Sequence, residues 1–423
     1  MDIKLNERQQ IVKEHITQCV NGSLRTLEAA VKLGLTQRAV EIKIRRYKTL
    51  GDSSFIHGNT GKKHINETYV NLKNRIINLF QNTVIDGKNP FESISYQYFN
   101  DILKEEYNIK CSTGFVTKCL KSVGYKSPIK WKSRRKVKEY LYREPKEYFG
   151  ELVQADGTPY DWFKNGKNYC IQGFIDDATG IPVGLYMTKN ECLLGYIEAA
   201  RYMLINYGIP EQLYPDKAGV FFVNNPKCKD KNALTQFGRI VSELGIDMFP
   251  AHSPQAKGRI ERFWGVLQQQ LPVQFALHGI KTVEQANKFL NEVYIPKYVK
   301  KYSRKAKSDF SKFVAADKDK IAQLLKARFI GNTDSAGIFY LKGYKFFCKE
   351  LPHQKIHICL SYKNGLWVEP FKSNTKYIPK LIETDTSGDM PEVMKILIEE
   401  TFLKNCKPSF REVYYSVSDE LLC

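Results

Sequence analysis

Three carboxylates stand where phosphodiester chemistry would need them: Asp156, Asp216 and Glu261, separated by 60 and 45 positions. Asp156 closes the strand-like run Glu151-Leu-Val-Gln-Ala-Asp156, and Asp216 follows a second run in Leu213-Tyr-Pro-Asp216. Glu261 falls on a predicted helix where Lys257, Glu261, Gly265 and Gln268 share one face and Ile260, Phe263, Leu267 and Leu271 form an apolar stripe. Adjacent strands would bring both aspartates to one sheet edge, with the glutamate looking across at them. Hard, octahedral Mg²⁺ prefers oxygen ligands, and two such ions about 3.5–4 Å apart activate a nucleophile and stabilise a leaving oxygen in an in-line displacement. Any one of these acids reads more readily as a cap or a surface charge; their joint placement carries the assignment. Asp176 and Asp177 compete for a ligand position, but Asp177-Ala-Thr-Gly180 is turn chemistry between two strands, and Asp161 and Glu191 read as loop residues.

Around the acids, His252, Lys257, Arg259 and Arg262 supply the donors that phosphate oxygens need. Lys257, one turn before Glu261, is the foremost of these. Its alternative is an i, i+4 pair with Glu261 worth about 0.3–0.5 kcal/mol.

The elements that must position this group begin at Tyr148. Strands are expected over 151–156, 168–176 and 181–187, then a helix over 192–206, a short strand ending near Tyr214, a helix over 234–244, a strand over 246–249 and a helix over 255–271. That order is the one of an RNase H-like α/β core, here assigned to 148–290. Upstream, 1–56 reads as three helices in a helix-turn-helix pattern, with Thr26 and Thr36 as caps and Leu27, Ala30, Val31 and Leu35 inside. Gln37, Arg38, Arg45 and Arg46 decorate its third helix, the one that would meet a major groove. A second helix-turn-helix or winged-helix-like module is expected over 57–125, with Ser112 capping a last helix that carries Lys118 and Lys121.

Between module and core, 126–147 holds nine basic residues, Arg134 and Arg135 among them, against three glutamates, with Trp131, Tyr140 and Tyr142 interleaved as in nucleic-acid-binding linkers. A basic helical linker is expected over 291–328, helical through Arg328. Five short strands over 329–382 suggest a small SH3-like β-barrel, and 383–423 is an appendage. The expected fold class is thus a multidomain α+β chain.

Composition agrees. With 65 Lys and Arg against 45 Asp and Glu, the chain of 423 residues carries a formal charge of +20, which draws polyanions. Ten cysteines are scattered without a Cys-x-x-Cys pair, as in a reducing compartment. No run approaches the ~18 apolar residues of a membrane span, and the opening residues lack a secretory pattern, so a soluble cytoplasmic protein with no membrane partner is expected.

The order of the three acids, with the string Ser253-Pro-Gln-Ala-Lys-Gly-Arg-Ile-Glu-Arg-Phe-Trp-Gly-Val-Leu-Gln268, resembles DDE transposases of bacterial insertion sequences, especially the ISNCY kind, within the retroviral-integrase-like superfamily. The resemblance is strongest over about 148–305. It implies metal ligation by Asp156, Asp216 and Glu261, with Mg²⁺ or Mn²⁺, nicking at element ends and transfer of the freed 3′-hydroxyl into target DNA. Partners so implied are double-stranded DNA, as inverted repeats and as target, and further copies of the chain, at least a dimer on DNA. Two departures stand out: Asp216-Lys-Ala-Gly219 shifts by one the glycine of the Asp-Asn-Gly common in relatives, and Gln268 stands where many carry Lys or Arg. A silent DNA-binding regulator on the same scaffold, and a nuclease without strand transfer, remain open readings.

Overall fold

The computed structural model describes residues 7–56, 66–126, 144–224, 233–251, 257–382 and 390–404. His252, Arg134 and Arg135, expected above as DNA contacts, lie outside these residues. The chain divides into two compact units, 1–78 and 79–423.

In the first unit α1 (Glu7–Val20), α2 (Thr26–Leu33) and α3 (Gln37–Leu50) enclose a small core of Ile16, Ala29, Ala30, Val40 and Phe55. Thr36 caps α3 by accepting from Ala39 N, and Gly34 ends α2 in the left-handed conformation. Two expectations are corrected. Arg25, not Thr26, is the N-cap of α2, and Leu27 and Val31 face solvent at 61% and 79% exposure. The helix presents Ala29 and Ala30 to its neighbours instead, because small side chains let the helices approach closely.

Helix α4 (Asn66–Asn82) precedes α5 (Tyr96–Glu105) and α6 (Thr113–Ser122), whose N-caps Ser95 and Ser112 each accept a backbone N–H. These last two belong to the same compact unit as everything that follows.

The centre of that unit is a five-stranded sheet of order β3-β2-β1-β4-β5. Strands β1 (Leu152–Tyr160), β2 (Tyr169–Asp176) and β3 (Pro182–Thr188) form an antiparallel meander, and β4 (Gln212–Tyr214) and β5 (Asp247–Met248) run parallel to β1. Helix α7 (Leu193–Asn206) links β3 to β4, and α8 (Gln236–Glu243) links β4 to β5, in the order expected from the sequence. Helix α9 (Gly258–Leu277) packs on the other face, burying Ile260, Phe263, Leu267 and Leu271 against Ile171, Ile175, Leu185 and Met187. Its expected apolar stripe is therefore the buried one. Both faces of the sheet are covered, so β2 and β3 are buried nearly throughout.

Helices α10 (Val283–Phe289), α11 (Ile295–Tyr302) and α12 (Lys318–Leu324) lead to the C-terminal strands. Helix is expected through Arg328, but a strand β6 (Ala327–Asn332) begins there, pairing antiparallel with Lys355–Leu360. It is held by the side-chain amide of Gln236 on α8, which donates to Arg328 O and accepts from Arg328 N, both at 2.9 Å. Arg239 donates to the carbonyl of Lys326, and Glu243 pairs with both Arg239 and Arg328. The five strands expected over 338–381 are present, but with β6 they form two three-stranded sheets; no closed barrel exists among the described residues. The architecture is mixed α/β, and no described helix is long and apolar enough to cross a membrane.

Candidate active site

Strand β1 and helix α9 meet through a ladder of polar rungs. Side chains alternate along a strand, so Gln154, Asp156 and Thr158 point the same way. Gln154 Oε1 accepts from Ile260 N at 3.2 Å, Asp156 Oδ2 accepts from Trp264 Nε1 at 3.0 Å, and Thr158 Oγ1 accepts from Gln268 Nε2 at 3.1 Å. Two strand residues rise about 6.6 Å and four helical residues about 6 Å, so the rungs stay in step. The other Asp156 oxygen accepts from Lys257 Nζ at 2.8 Å, and the lysine side chain is only 6% exposed. Lys257 is thus partnered by Asp156, not by Glu261.

Glu261 lies on the helix face between Lys257 and Trp264, three and four positions from residues that both grip Asp156, and its side chain is exposed. Asp216 arrives from the adjacent strand. The parallel register aligns Leu152 with Gln212, Val153 with Leu213 and Gln154 with Tyr214; Asp156 lies two residues beyond Gln154 on β1, and Asp216 two residues beyond Tyr214, past the end of β4. Asp216 Oδ1 accepts from Ala218 N at 2.9 Å, an Asx-type turn that orients the carboxylate just past the strand end.

Glu191, which the sequence led us to set aside as a loop residue, is in the same neighbourhood. Burial raises its pKa, and the charges of Asp216 and Asp156 raise it further while the Tyr196 hydrogen bond, 2.6 Å from OH to Oε1, pulls the other way. It covers Gly157, where a Cβ would come within 3.1 Å of the Glu191 carboxyl. Glycine at this position is what lets Glu191 close over the residue next to Asp156. The sequence signal was slight: an acid before α7 with a tyrosine one turn inside it. Among the described residues, no three His, Cys, Asp or Glu side chains already stand close enough together to hold a metal ion.

The expected phosphate contacts separate into two groups. Arg259 is drawn inward: its Nε donates to Asp177 Oδ1 at 2.7 Å, and Asp177, fully buried, also accepts from Gln154 Nε2 at 2.8 Å and Lys146 N at 2.9 Å. The charge of Arg259 is thus matched within the fold. Asp176 accepts from Gly150 N, Thr179 N and Thr179 Oγ1, as its turn reading expects. By contrast Arg262, Gln37, Arg38, Arg45, Arg46, Lys118 and Lys121 are exposed.

No family model matches the chain. It is 30% identical to the transposase for insertion sequence IS1202 of Streptococcus pneumoniae, over 69% of this chain and 68% of that protein. It is 29% identical to the transposase y4bF of Sinorhizobium fredii, over 71% of this chain but 63% of that protein, so it spans less than two thirds of the second relative. Among solved structures, a human T-lymphotropic virus type 2 (HTLV-2) integrase catalytic core in complex with magnesium overlays with a TM-score of 0.26 at 18% identity, covering 34% of this chain and 88% of that one. The Mos1 strand transfer complex overlays with a TM-score of 0.23 at 12% identity, covering 71% and 96%. These overlays are too loose to carry structural detail. The sequence relationship to the IS1202 protein is sufficient by itself: the chain belongs to the transposases of insertion sequences.

Proposed function

We propose that the chain is a DDE-type polynucleotidyl transferase: it recognises the inverted repeats at its element's ends, cleaves there and joins the freed 3′-hydroxyl to target DNA. The observation that supports this reading is the parallel pairing of β1 with β4, which carries Asp156 on β1 and delivers Asp216 two residues past the end of β4, with Glu261 on the helix face whose neighbours Lys257 and Trp264 bind Asp156. The donor set suits Mg²⁺, since every candidate ligand is a carboxylate oxygen. Asp156, Asp216 and Glu261 would hold the ions, which when bound supply nucleophile activation and leaving-group stabilisation.

The chain's own residues do the rest. Trp264 fixes the rotamer of Asp156, and Gln268 secures β1 through Thr158. Arg259, through Asp177 and Gln154, holds the first turn of α9, and with it Glu261, against β1. Arg262, exposed one residue beyond Glu261, is available to a phosphate. Three-helix recognition modules of helix-turn-helix type, an RNase H-like core and C-terminal sheets of SH3-like kind complete the reading, with at least two copies acting on paired element ends.

Purified protein incubated with Mg²⁺ and labelled element-end DNA should yield site-specific nicks and joined products. Glu261→Gln should abolish both; persisting activity would remove Glu261 from the ligand set, and tight binding without any metal-dependent cleavage would favour a silent regulator.

A further inference from the structure

The ammonium of Lys257 sits against one oxygen of Asp156, a carboxylate proposed above as a metal ligand. It lies 2.8 Å from Oδ1, with its side chain 6% exposed, while Oδ2 is held by Trp264 at 3.0 Å. A metal ion bound to a carboxylate sits about 2.1 Å from its oxygen, so an ammonium on that oxygen would face a doubly charged neighbour with little water between them.

We propose that Lys257 is the internal counter-ion of the metal-free site, competing with the divalent ion for Asp156 and released when the ion binds. This rests on the reading of Asp156 as a metal ligand. Three features suit it to the role. Lys257 is the N-cap residue of α9 and its side chain makes no capping hydrogen bond, so its departure removes nothing from the helix end. Trp264 grips the second oxygen independently, so Asp156 keeps its orientation through the exchange. Glu191 adds a further acid to the neighbourhood, so without a cation the site would gather carboxylates with nothing to balance them. The released ammonium stands one helical turn from Glu261, where a phosphate bound for cleavage would meet it. Metal loading and DNA contact are thereby coupled through one side chain.

The test measures metal binding and lysine exposure, apart from cleavage. Mn²⁺ is titrated calorimetrically into the full chain as wild type, Lys257→Met and Asp156→Asn. Lys257→Met should bind about tenfold more tightly or better, as expected when a neighbouring like charge is removed, and Asp156→Asn should lose the site. If Asp156→Asn loses binding while Lys257→Met binds no more tightly than wild type, the counter-ion proposal falls and the ligand reading stands. If Asp156→Asn binds like wild type, both fall.

Should Lys257→Met fail to fold, amine labelling of the wild type decides, read by peptide mass spectrometry. Lys257 should be protected without metal and label at least fivefold faster with Mn²⁺, and in Asp156→Asn it should label fast with or without metal. Equal labelling of wild-type Lys257 in both conditions overturns the proposal.

Discussion

Arg259 and Asp177, 82 positions apart in the chain, close an ion pair of 2.7 Å, its carboxylate fully buried, that ties the first turn of α9 to the start of the β2–β3 turn. The pair is part of a larger set: the same carboxylate accepts from Gln154, whose own oxygen accepts from Ile260 N. Turn, strand and helix are thus one hydrogen-bonded unit directly beneath the acids.

Removing the arginine leaves Asp177 charged and buried, a change that costs about 3–5 kcal/mol in comparable pairs. Arg259→Met should therefore lower stability by that order in urea denaturation. Full stability combined with weakened DNA binding would restore Arg259 to the phosphate contacts.

Helix α7 lies directly on β3, where the carbonyl of Ala199 meets Gly184 so closely that an added Cβ would collide with it. Gly184→Ala should destabilise by about 1–3 kcal/mol, as overpacking does. A neutral result in thermal unfolding would mean that the helix can slide away from the sheet.

The imidazole of His357, on the strand beside Glu369, has its pKa lowered to about 4 by burial first and by Arg328 next. An unfolded histidine takes its proton near 6.5, so the unfolded chain binds more protons between these values and stability must fall as pH drops from 6.5 to 4. Asp176 acts in the opposite sense: burial raises it to about 6 from 3.8, so its contribution improves as pH falls across that interval. His357→Gln should flatten the acid-side loss measured by denaturant titration at stepped pH. An unchanged slope would assign the loss to other groups.

Arg38, Arg45 and Arg46 are exposed on α3. If this helix lies on DNA, each arginine changed to Ala should reduce the salt slope of binding by about 1, read by fluorescence anisotropy across salt concentrations. Slopes identical to wild type for all three would place the DNA on another face.

Much of this fold was legible because periodicity is local. The β1–β2–β3 run, the stripe of α9 and the caps Thr36 and Ser112 each depend on residues within a few positions. Pairings across distance are what a local reading does not reach. Lys326 and Arg328 looked like linker charges because Glu369 and Glu243, which neutralise them, lie 43 and 85 positions away. The partners of Lys257 and Arg259 inside the fold, Asp156 and Asp177, are likewise 101 and 82 positions distant and leave no local sign. Glu191 had no periodic signal at all, and only the folded sheet brings it over Gly157.

The clasp between Gln236 and Arg328, with Arg239 and Glu243 beside it, has an evolutionary corollary. A tail borrowed from another element would have to present a strand in register with the Gln236 amide and a cation where Arg328 stands, or Glu243 would be left with Arg239 alone. Recombination that swaps specificity between elements is therefore steered away from this joint, and the central sheet and its C-terminal strands should be inherited as a single block.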